Sequence, residues 1–406
     1  MDRGRPPATP VTNVILALNA GSSSLKFGLY RRTNEDDPTV VLQGSVRTLV
    51  ENSSKFIATA ADGRALVDEQ WPTSADRAVE RLLGWLESQL GSSELTAIGH
   101  RVVHGGPDFS EPVEIDDSIL SRLEALTALA PLHQPATLLP IQLIRMMRPD
   151  LPQVACFDTA FHRQMGPPAN RYALPREIEA QGIRRYGFHG LSYESIAAQL
   201  ASDDHDQARH NSRVIVAHLG NGASLCAMHH LQSVDTTMGF STLDGLVMGT
   251  RPGALDPGIL LYLLKEKGFS VSRLEQLLYR ECGLLGVSGI SADVATLLAS
   301  EAPAAAEALD LFAFQVARQI AALAATLGGF DRLVFTGGIG EHAPTVRRMI
   351  IDRLQWLGLD LDEQANASDE VKISGSASAV LVERRSTQEE LMIARHVVAV
   401  NCGRCA

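Results

Sequence analysis

The 406-residue chain is long enough for about two domains, and its 45% hydrophobic and 20% charged residues describe an ordinary globular composition. A formal net charge of −11 argues against a general affinity for nucleic acid or an anionic membrane, although a few cations gathered in one place could still bind an anion. The five cysteines, at 156, 226, 282, 402 and 405, are odd in number and scattered, which argues against a disulfide framework and for a reducing, cytoplasmic setting.

Residues 1–10 lack the apolar core of a signal peptide and read as a loose tail. Strands are expected at 14–18, 26–30 and 40–46, then a helix at 75–90. The turn between the first two strands lies in NAGSSSLKF, residues 19–27. A small-residue turn followed by Lys26 invites comparison with a P-loop, but the glycine spacing is wrong and Lys26 leads into a strand, not a helix. A strand at 98–103 carries His100, Arg101 and Val103 into His104-Gly105-Gly106, and helices at 117–129 and 136–147 bracket Pro131-Leu132-His133-Gln134-Pro135. The strand at 153–157 runs into Asp158, and Arg185-Tyr186-Gly187-Phe188-His189-Gly190 precedes a helix at 192–201.

Strands at 213–218 and 224–228 flank His218-Leu219-Gly220-Asn221-Gly222, and Met248-Gly249-Thr250-Arg251-Pro252-Gly253 precedes helices at 257–267 and 272–280. The apolar stretch at 303–327 is broken by Glu307, Asp310 and Arg318, so it reads as a core helix and not as a membrane span. A strand at 333–336 enters Gly337-Gly338-Ile339-Gly340-Glu341, followed by a helix at 344–356, a strand at 378–382 and a helix at 388–398 that begins with Glu389 and Glu390. Cys402-Gly-Arg-Cys405 has metal-type spacing without a second cysteine pair, and reads as a flexible tail. The mixture of elements is α/β. VILALNAGSSSL from residue 14 and VIVAHLGNGASL from residue 214 share five of twelve positions, an internal echo of two strand–turn–strand units. Each puts backbone N–H groups and small side chains at a strand end, where a phosphate can approach closely.

Arginines beside glycine and apolar residues, such as Arg101 and Arg251, cannot shed their charge and must find an anion or a carboxylate. For either alone, an internal salt bridge serves equally well. Two of them with several histidines point to an anionic substrate and to phosphoryl transfer, which needs cations around the moving group and a divalent metal. Asp158 and the Glu389–Glu390 pair could hold Mg²⁺, although acids also suit a solvated first helical turn.

The ordered set NAGSSSLKF, HRVVHGG, PLHQP, FDTAFH, RYGFHG, HLGNGAS, DTTMGF, GLVMGTRPG, FTGGIGE and EELMIAR resembles the acetokinase family, within the sugar kinase, actin and heat-shock chaperone ATPase superfamily. The resemblance covers roughly residues 13–398. It implies a duplicated RNase H-like, actin-like ATPase fold with an active-site cleft between two domains, here 11–158 plus 386–406 and 159–385. It also implies a homodimer and Mg²⁺- or Mn²⁺-dependent, reversible transfer of the ATP γ-phosphoryl to acetate, giving acetyl phosphate and ADP. By the same resemblance, Asn19 and Glu389 would organise the metal. Arg101, Asp158, His189 and Arg251 would be catalytic, with His133 and His218 in support. Lys26, His218, Leu219, Gly220, Asn221 and Gly222 would meet the phosphates. Asp293, Val294, Ala295 and Gly337, Gly338, Ile339, Gly340, Glu341 would line the adenosine site, and Val103, Leu132, Phe188 and Thr242 the acyl pocket, beside the carboxylate clamp of Arg101 and Arg251.

The chain departs from the family pattern at several of these positions. Ala295 stands where an arginine is expected beside adenine, Thr242 where a proline lines the acyl pocket, Gln134 for asparagine, and Pro252-Gly253-Ala254 for Ser-Gly-Asp. The rival readings are a propionate or butyrate kinase of the same family, a nucleotide-driven switch protein, and a sugar kinase. A switch has no need of a carboxylate clamp. A sugar kinase wants a carboxylate base that an already ionised acyl acceptor does not.

Overall fold

The computed structural model describes residues 13–21, 24–32, 37–50, 53–71, 75–203 and 213–402. The amino-terminal tail, Ser22 and Ser23 of the first turn, and Cys405 lie outside the described residues. The chain divides into two compact units, Met1–Ala160 with Gln388–Ala406, and Phe161–Thr387.

The first unit is organised by β1 (Asn13–Ala20), whose Val14, Ile15, Leu16, Ala17 and Leu18 are all buried, as expected of a strand covered on both faces. Around it lie β2 (Ser24–Arg31), β3 (Thr39–Val50), β4 (Ser53–Ala60), β5 (Ala65–Trp71), β6 (Glu94–Val102), β7 (Val113–Glu114) and β8 (Gln153–Phe157), in the order β5-β4-β3-β2-β1-β6-β8-β7. β1 and β2 are antiparallel, with Asn19 opposite Lys26, while β1, β6 and β8 run parallel. The helix Glu389–Cys402 returns from the far end of the chain to pack on β1 and β6. A β-carbon at Gly99 would lie only 2.4 Å from Ile393 and 2.7 Å from Val397, so glycine sets how closely that helix can approach.

The second unit holds a smaller sheet of β9 (Arg213–Leu219), β10 (Ala223–His229), β11 (Gln232–Thr236), β12 (Arg332–Thr336) and β13 (Leu381–Arg384), in the order β11-β10-β9-β12-β13. β9 and β10 form an antiparallel hairpin, and β9, β12 and β13 run parallel. The order is that of β3-β2-β1-β6-β8. The sequence echo thus marks equivalent hairpins at the centres of two sheets of the same topology. Helix Pro303–Leu327 buries Phe312, Val316 and Ile320 against β9 and β10, starting at a proline and ending at Gly328 in the left-handed region.

Several elements differ from the sequence expectation. Strands β4, β5, β7 and β11 were not anticipated; they are short or carry few apolar residues, as in β4, where Phe56 and Ala58 supply the fully buried apolar side chains. The helix expected over 117–129 is α-helical only for Asp117–Ala125 and tightens to a 3₁₀ turn over Leu126–Leu129. The helix expected over 272–280 is Val271–Gln276 followed by a π-turn, Leu277–Glu281. The strand expected at 378–382 is Leu381–Arg384, because Ser378 closes a turn with its N–H on Gly375 O and its hydroxyl on Val380 O.

Candidate active site

In the first unit, the carboxyl ends of the parallel strands β1, β6 and β8 bring Asn19, Arg101 and Asp158 side by side, the end of an α/β sheet where ligands bind. The Arg101 Nε donates to both carboxylate oxygens of Asp158 at 3.0 Å, and Nη2 donates to Oδ2 at 2.5 Å. The side chains are only 17% and 2% exposed. Burial pushes the Asp158 carboxyl above its ordinary range, and the Arg101 guanidinium offsets this only in part. Burial also opposes the charge on Arg101, but Asp158, Glu389 and Glu390 outweigh it and raise the arginine further. The bidentate geometry keeps the pair ionised.

The third partner is the start of helix Glu389–Cys402. Asn19 Nδ2 donates to Glu389 Oε2 at 2.8 Å and to Glu390 Oε1 at 2.9 Å, while Asn19 Oδ1 accepts from Arg101 Nη1 at 3.4 Å. One amide thus ties two carboxylates to the guanidinium. The helix dipole favours both acids at this position. Among the described residues no cluster of three or more His, Cys, Asp or Glu could cage a metal. Because the amide turns its NH2 to the carboxylates and its oxygen to Arg101, the hard oxygen donors are the two carboxylates that it orients, a sparse set of the kind on which Mg²⁺ relies when nucleotide phosphates and water complete its shell. These residues fit that ion.

Beneath the cluster, the His104-Gly105-Gly106 loop is locked by Gln134, which is fully buried. Its Oε1 accepts from His104 N–H at 3.1 Å, and its Nε2 donates to His104 O at 3.1 Å and Leu123 O at 3.2 Å. Val103 is buried, and Leu132 and His133 lie half-buried just ahead of helix Gln134–Met147. Lys26 is exposed on β2.

In the second unit, His189 precedes helix Gly190–Asp203 with φ of 58°, in the left-handed region that non-glycine residues seldom occupy. Its Nδ1 is 2.8 Å from Ser224 Oγ, and that hydroxyl is 2.5 Å from Tyr193 OH. His218, at the end of β9, stacks on His189 with ring centroids 4.3 Å apart, and its Nδ1 is 2.8 Å from Ser192 Oγ. Ser192, Ser224 and Tyr193 are completely buried. Both imidazoles are therefore oriented from behind, which leaves Nε2 of each to face forward.

What they face is backbone. A β-carbon on Gly222 would sit 3.1 Å from Arg251 Nη2 and 3.3 Å from His189 Nε2, so the glycine lets the turn pass close to both side chains. Arg251 is itself held by Nη1 donating to Thr242 O at 2.8 Å. Asn221 packs against Gly249, next to Ala292, and Gly220 lies near Gly338 N–H. Thus Arg251, His189, His218, Leu219, Gly220, Asn221, Gly222 and the Gly337–Glu341 turn come together, and Phe188 and Thr242 are buried beside them.

Two residues assigned to the adenosine site also hold their own turns. Glu341 Oε1 accepts from Gly337 N–H at 3.1 Å, closing an additional short helix, Gly337–His342, ahead of the expected helix, which starts at Pro344. Asp293 caps helix Val294–Leu298 by accepting from Thr296 N and Oγ1; Val294 is buried and Ala295 is exposed. Sequence reasoning passed over Ser192, Tyr193 and Ser224 because a hydroxyl in an apolar strand or helix carries no periodic signal. Their place directly after His189 and after the glycine turn was the available clue.

The acetokinase family model matches residues 14–395. An acetate kinase of Rhodopseudomonas palustris is 50% identical over 394 residues, covering 95% of this chain and 98% of that protein. A propionate kinase structure from Francisella tularensis superposes with a TM-score of 0.85 at 39% identity, covering 95% of this chain and 98% of its own. The acetate kinase structure of Porphyromonas gingivalis gives 0.81 at 34% identity over 96% and 100% of the two chains. The match runs through both sheets and every motif of the two residue clusters, and at these identities it assigns the chain to the acetokinase family, with its actin-like ATPase fold.

Proposed function

We propose that the protein is an acetate kinase, catalysing reversible in-line transfer of the ATP γ-phosphoryl to acetate, with acetyl phosphate and ADP as products. The observation that carries this reading is the convergence of Arg251 Nη2 and His189 Nε2 on the bare Gly222, where two donors can hold the oxygens of a transferring phosphoryl group. Ser224 and Ser192 fix the imidazoles, so no reorientation is needed as charge moves. Arg101, kept charged by Asp158, binds the acceptor carboxylate or the phosphoryl group. Acetate is ionised at neutral pH and needs no base. The glycine turns at 218–222 and 337–341 bring backbone N–H groups to the nucleotide.

Asn19, Glu389 and Glu390 would hold Mg²⁺, which when bound neutralises phosphate charge. Val103, Leu132, Phe188 and Thr242 are assigned to the acyl methyl, and a methylene there is worth only about 1–3 kcal/mol, so propionate is the natural second substrate. Lys26, on exposed β2, is assigned to the phosphates, and His133 to a supporting role beside the acceptor.

The proposed state is a cytoplasmic homodimer. Helix Pro257–Lys265 buries none of its residues, and Ile259, Leu261 and Tyr262 are 45%, 54% and 51% exposed, an apolar surface suited to a second copy of the chain. Sedimentation should report a dimer that Leu261→Glu dissociates; a monomeric parent protein removes this part of the reading. The activity is tested with Mg-ATP and acetate, propionate or butyrate, trapping acyl phosphate with hydroxylamine. Hydroxamate should form best from acetate. Loss of ATP without hydroxamate from any acid rejects the kinase assignment.

A further inference from the structure

Arg251 sits in a loop, residues 248–253, that one downstream segment grips repeatedly. The segment opens with the π-turn Leu277–Glu281 and continues as the short helix Gly283–Ser288. π-turns are uncommon and recur at functional sites. Cys282 N–H donates to Thr250 O at 3.1 Å, Leu284 N–H to Met248 O at 2.9 Å, and Leu285 N–H to Gly249 O at 2.9 Å. Gly283 has φ of 65°, and a β-carbon there would lie 2.1 Å from Met248 O, so the close approach requires glycine.

Within the π-turn, Tyr279 reaches Arg251 from two directions. Its carbonyl accepts from Thr250 Oγ1 at 2.8 Å, fixing the residue before Arg251. Its phenol is hydrogen-bonded to the side chains of Ser241 and Thr242, and the Thr242 carbonyl is the acceptor for Arg251 Nη1 at 2.8 Å. Burial raises the phenol above its ordinary range and the Arg251 charge only partly offsets this, so it is a neutral hydroxyl at working pH. The residue before Arg251 and the residue that accepts from its guanidinium are thereby tied to one aromatic residue.

We propose that Tyr279 is a positioning residue for Arg251, acting through Thr242 at the guanidinium and through Thr250 at the backbone. This rests on the acyl-kinase reading of Arg251. A donor displaced by a fraction of an ångström loses its contact with the phosphoryl oxygens, so the effect falls on turnover and not on nucleotide binding. Because Thr242 also borders the proposed acyl pocket, its hydroxyl, once bonded to Tyr279, is drawn away from the methyl group of the acceptor.

The test is Tyr279→Phe, which keeps the ring and the carbonyl grip and removes the phenol bond. Thr242→Val breaks the same bond from the other side. Hydroxamate assays should give a kcat lower by on the order of tenfold in each, with KM for ATP within about twofold and the thermal midpoint shifted by only a few degrees. The double variant should be about as impaired as Tyr279→Phe alone, since the bond lost in Thr242→Val is one that Tyr279→Phe already removes. A Tyr279→Phe kcat within about twofold of the parent overturns the proposal, as does a loss matched by loss of folded protein, or a double variant whose losses multiply. If the parent protein forms no hydroxamate, the acyl-kinase reading fails first. The same variants are then scored on ATP hydrolysis, where an unchanged rate overturns the positioning role as well.

Discussion

The two sheets share one strand order but offer different chemistry at equivalent ends. At the end of β1, β6 and β8 stand formal charges: the Arg101–Asp158 pair, and the two glutamates tied together by Asn19. At the end of β9 and β12 stand bare backbone and imidazole–hydroxyl relays, with His189 on Ser224 and Tyr193, and His218 on Ser192, and a single formal charge, Arg251, beside them. Duplication copied the scaffold and left the site chemistry free to diverge. The physical difference is one of desolvation. Charges held out of water are strained unless every partner is present, whereas a chain of hydroxyls and imidazoles costs little to bury once it is hydrogen-bonded.

Substitutions can break that contrast. The largest effect is expected for Asp158→Ala, which takes away the carboxylate bonded directly to the buried Arg101 and leaves only the more distant Glu389 and Glu390; it should lower unfolding free energy by about 3–5 kcal/mol in urea titrations, besides abolishing activity. Loss of activity with unchanged stability would show that the first cluster is not held by charge. Arg251→Ala, in the second cluster, should do the reverse. We expect kcat to fall by on the order of 10²-fold or more with the fold intact, and near-normal turnover would remove Arg251 from the chemistry.

Acid should act on both units through one buried imidazole each. Burial pushes His100 and His162 down to about 4, opposed by the Gln153 amide in the first case and by the Phe188 carbonyl in the second. Since the unfolded chain protonates near pH 6.5, their contribution is complete above that pH, declines as pH falls, and is exhausted below about 4. Between pH 7 and pH 5 each should remove roughly 2 kcal/mol of stability, read from urea midpoints. Among the described residues His100 Nε2 has no hydrogen-bond partner, whereas His162 engages both Ser233 Oγ at 2.7 Å and Phe188 O at 3.0 Å. His100→Leu should therefore flatten the acid dependence at little cost at pH 7, and His162→Leu should be costly at both pH values. Equal costs at pH 7 would contradict this distinction.

A smaller effect is expected for Ser224→Ala. It strips His189 of its Nδ1 partner and leaves the Tyr193 hydroxyl buried, a loss of about 1–3 kcal/mol with a several-fold lower kcat. The least change should come from Ala295→Arg, which tests whether the exposed alanine at the start of helix Val294–Leu298 relaxes nucleotide choice. kcat/KM ratios already strongly favouring ATP in the parent protein would reject that expectation.

The sequence made the central strands legible because β1 and β9 are nearly continuous apolar runs ending in small residues, and the echo between them anticipated two like hairpins. Arg101, Asp158, His189 and Arg251 stood out because charged or titratable side chains beside glycine and apolar residues need an explanation. What stayed hidden depends on tertiary approach. Gln134 looked like a longer stand-in for asparagine and proves to lock the 104–106 loop. Glu341, assigned to the adenosine site, also closes a short helix that no periodicity announces. Tyr279 lay in what periodicity presents as an ordinary helix, and only the π-turn gives it a role. Outer strands such as β4 and β5 were missed because alternation with serine, threonine and charged residues resembles a loop when read one residue at a time.

The return of helix Glu389–Cys402 to the first unit bears on how the molecule is made. Translation completes the second unit, Phe161–Thr387, as one continuous segment inside the first. The first sheet must wait for the segment beyond it, with the face of β6 around Gly99 uncovered until Ile393 and Val397 emerge. A chain interrupted after the second unit would carry the histidine and glycine cluster but not the pair of glutamates at 389 and 390.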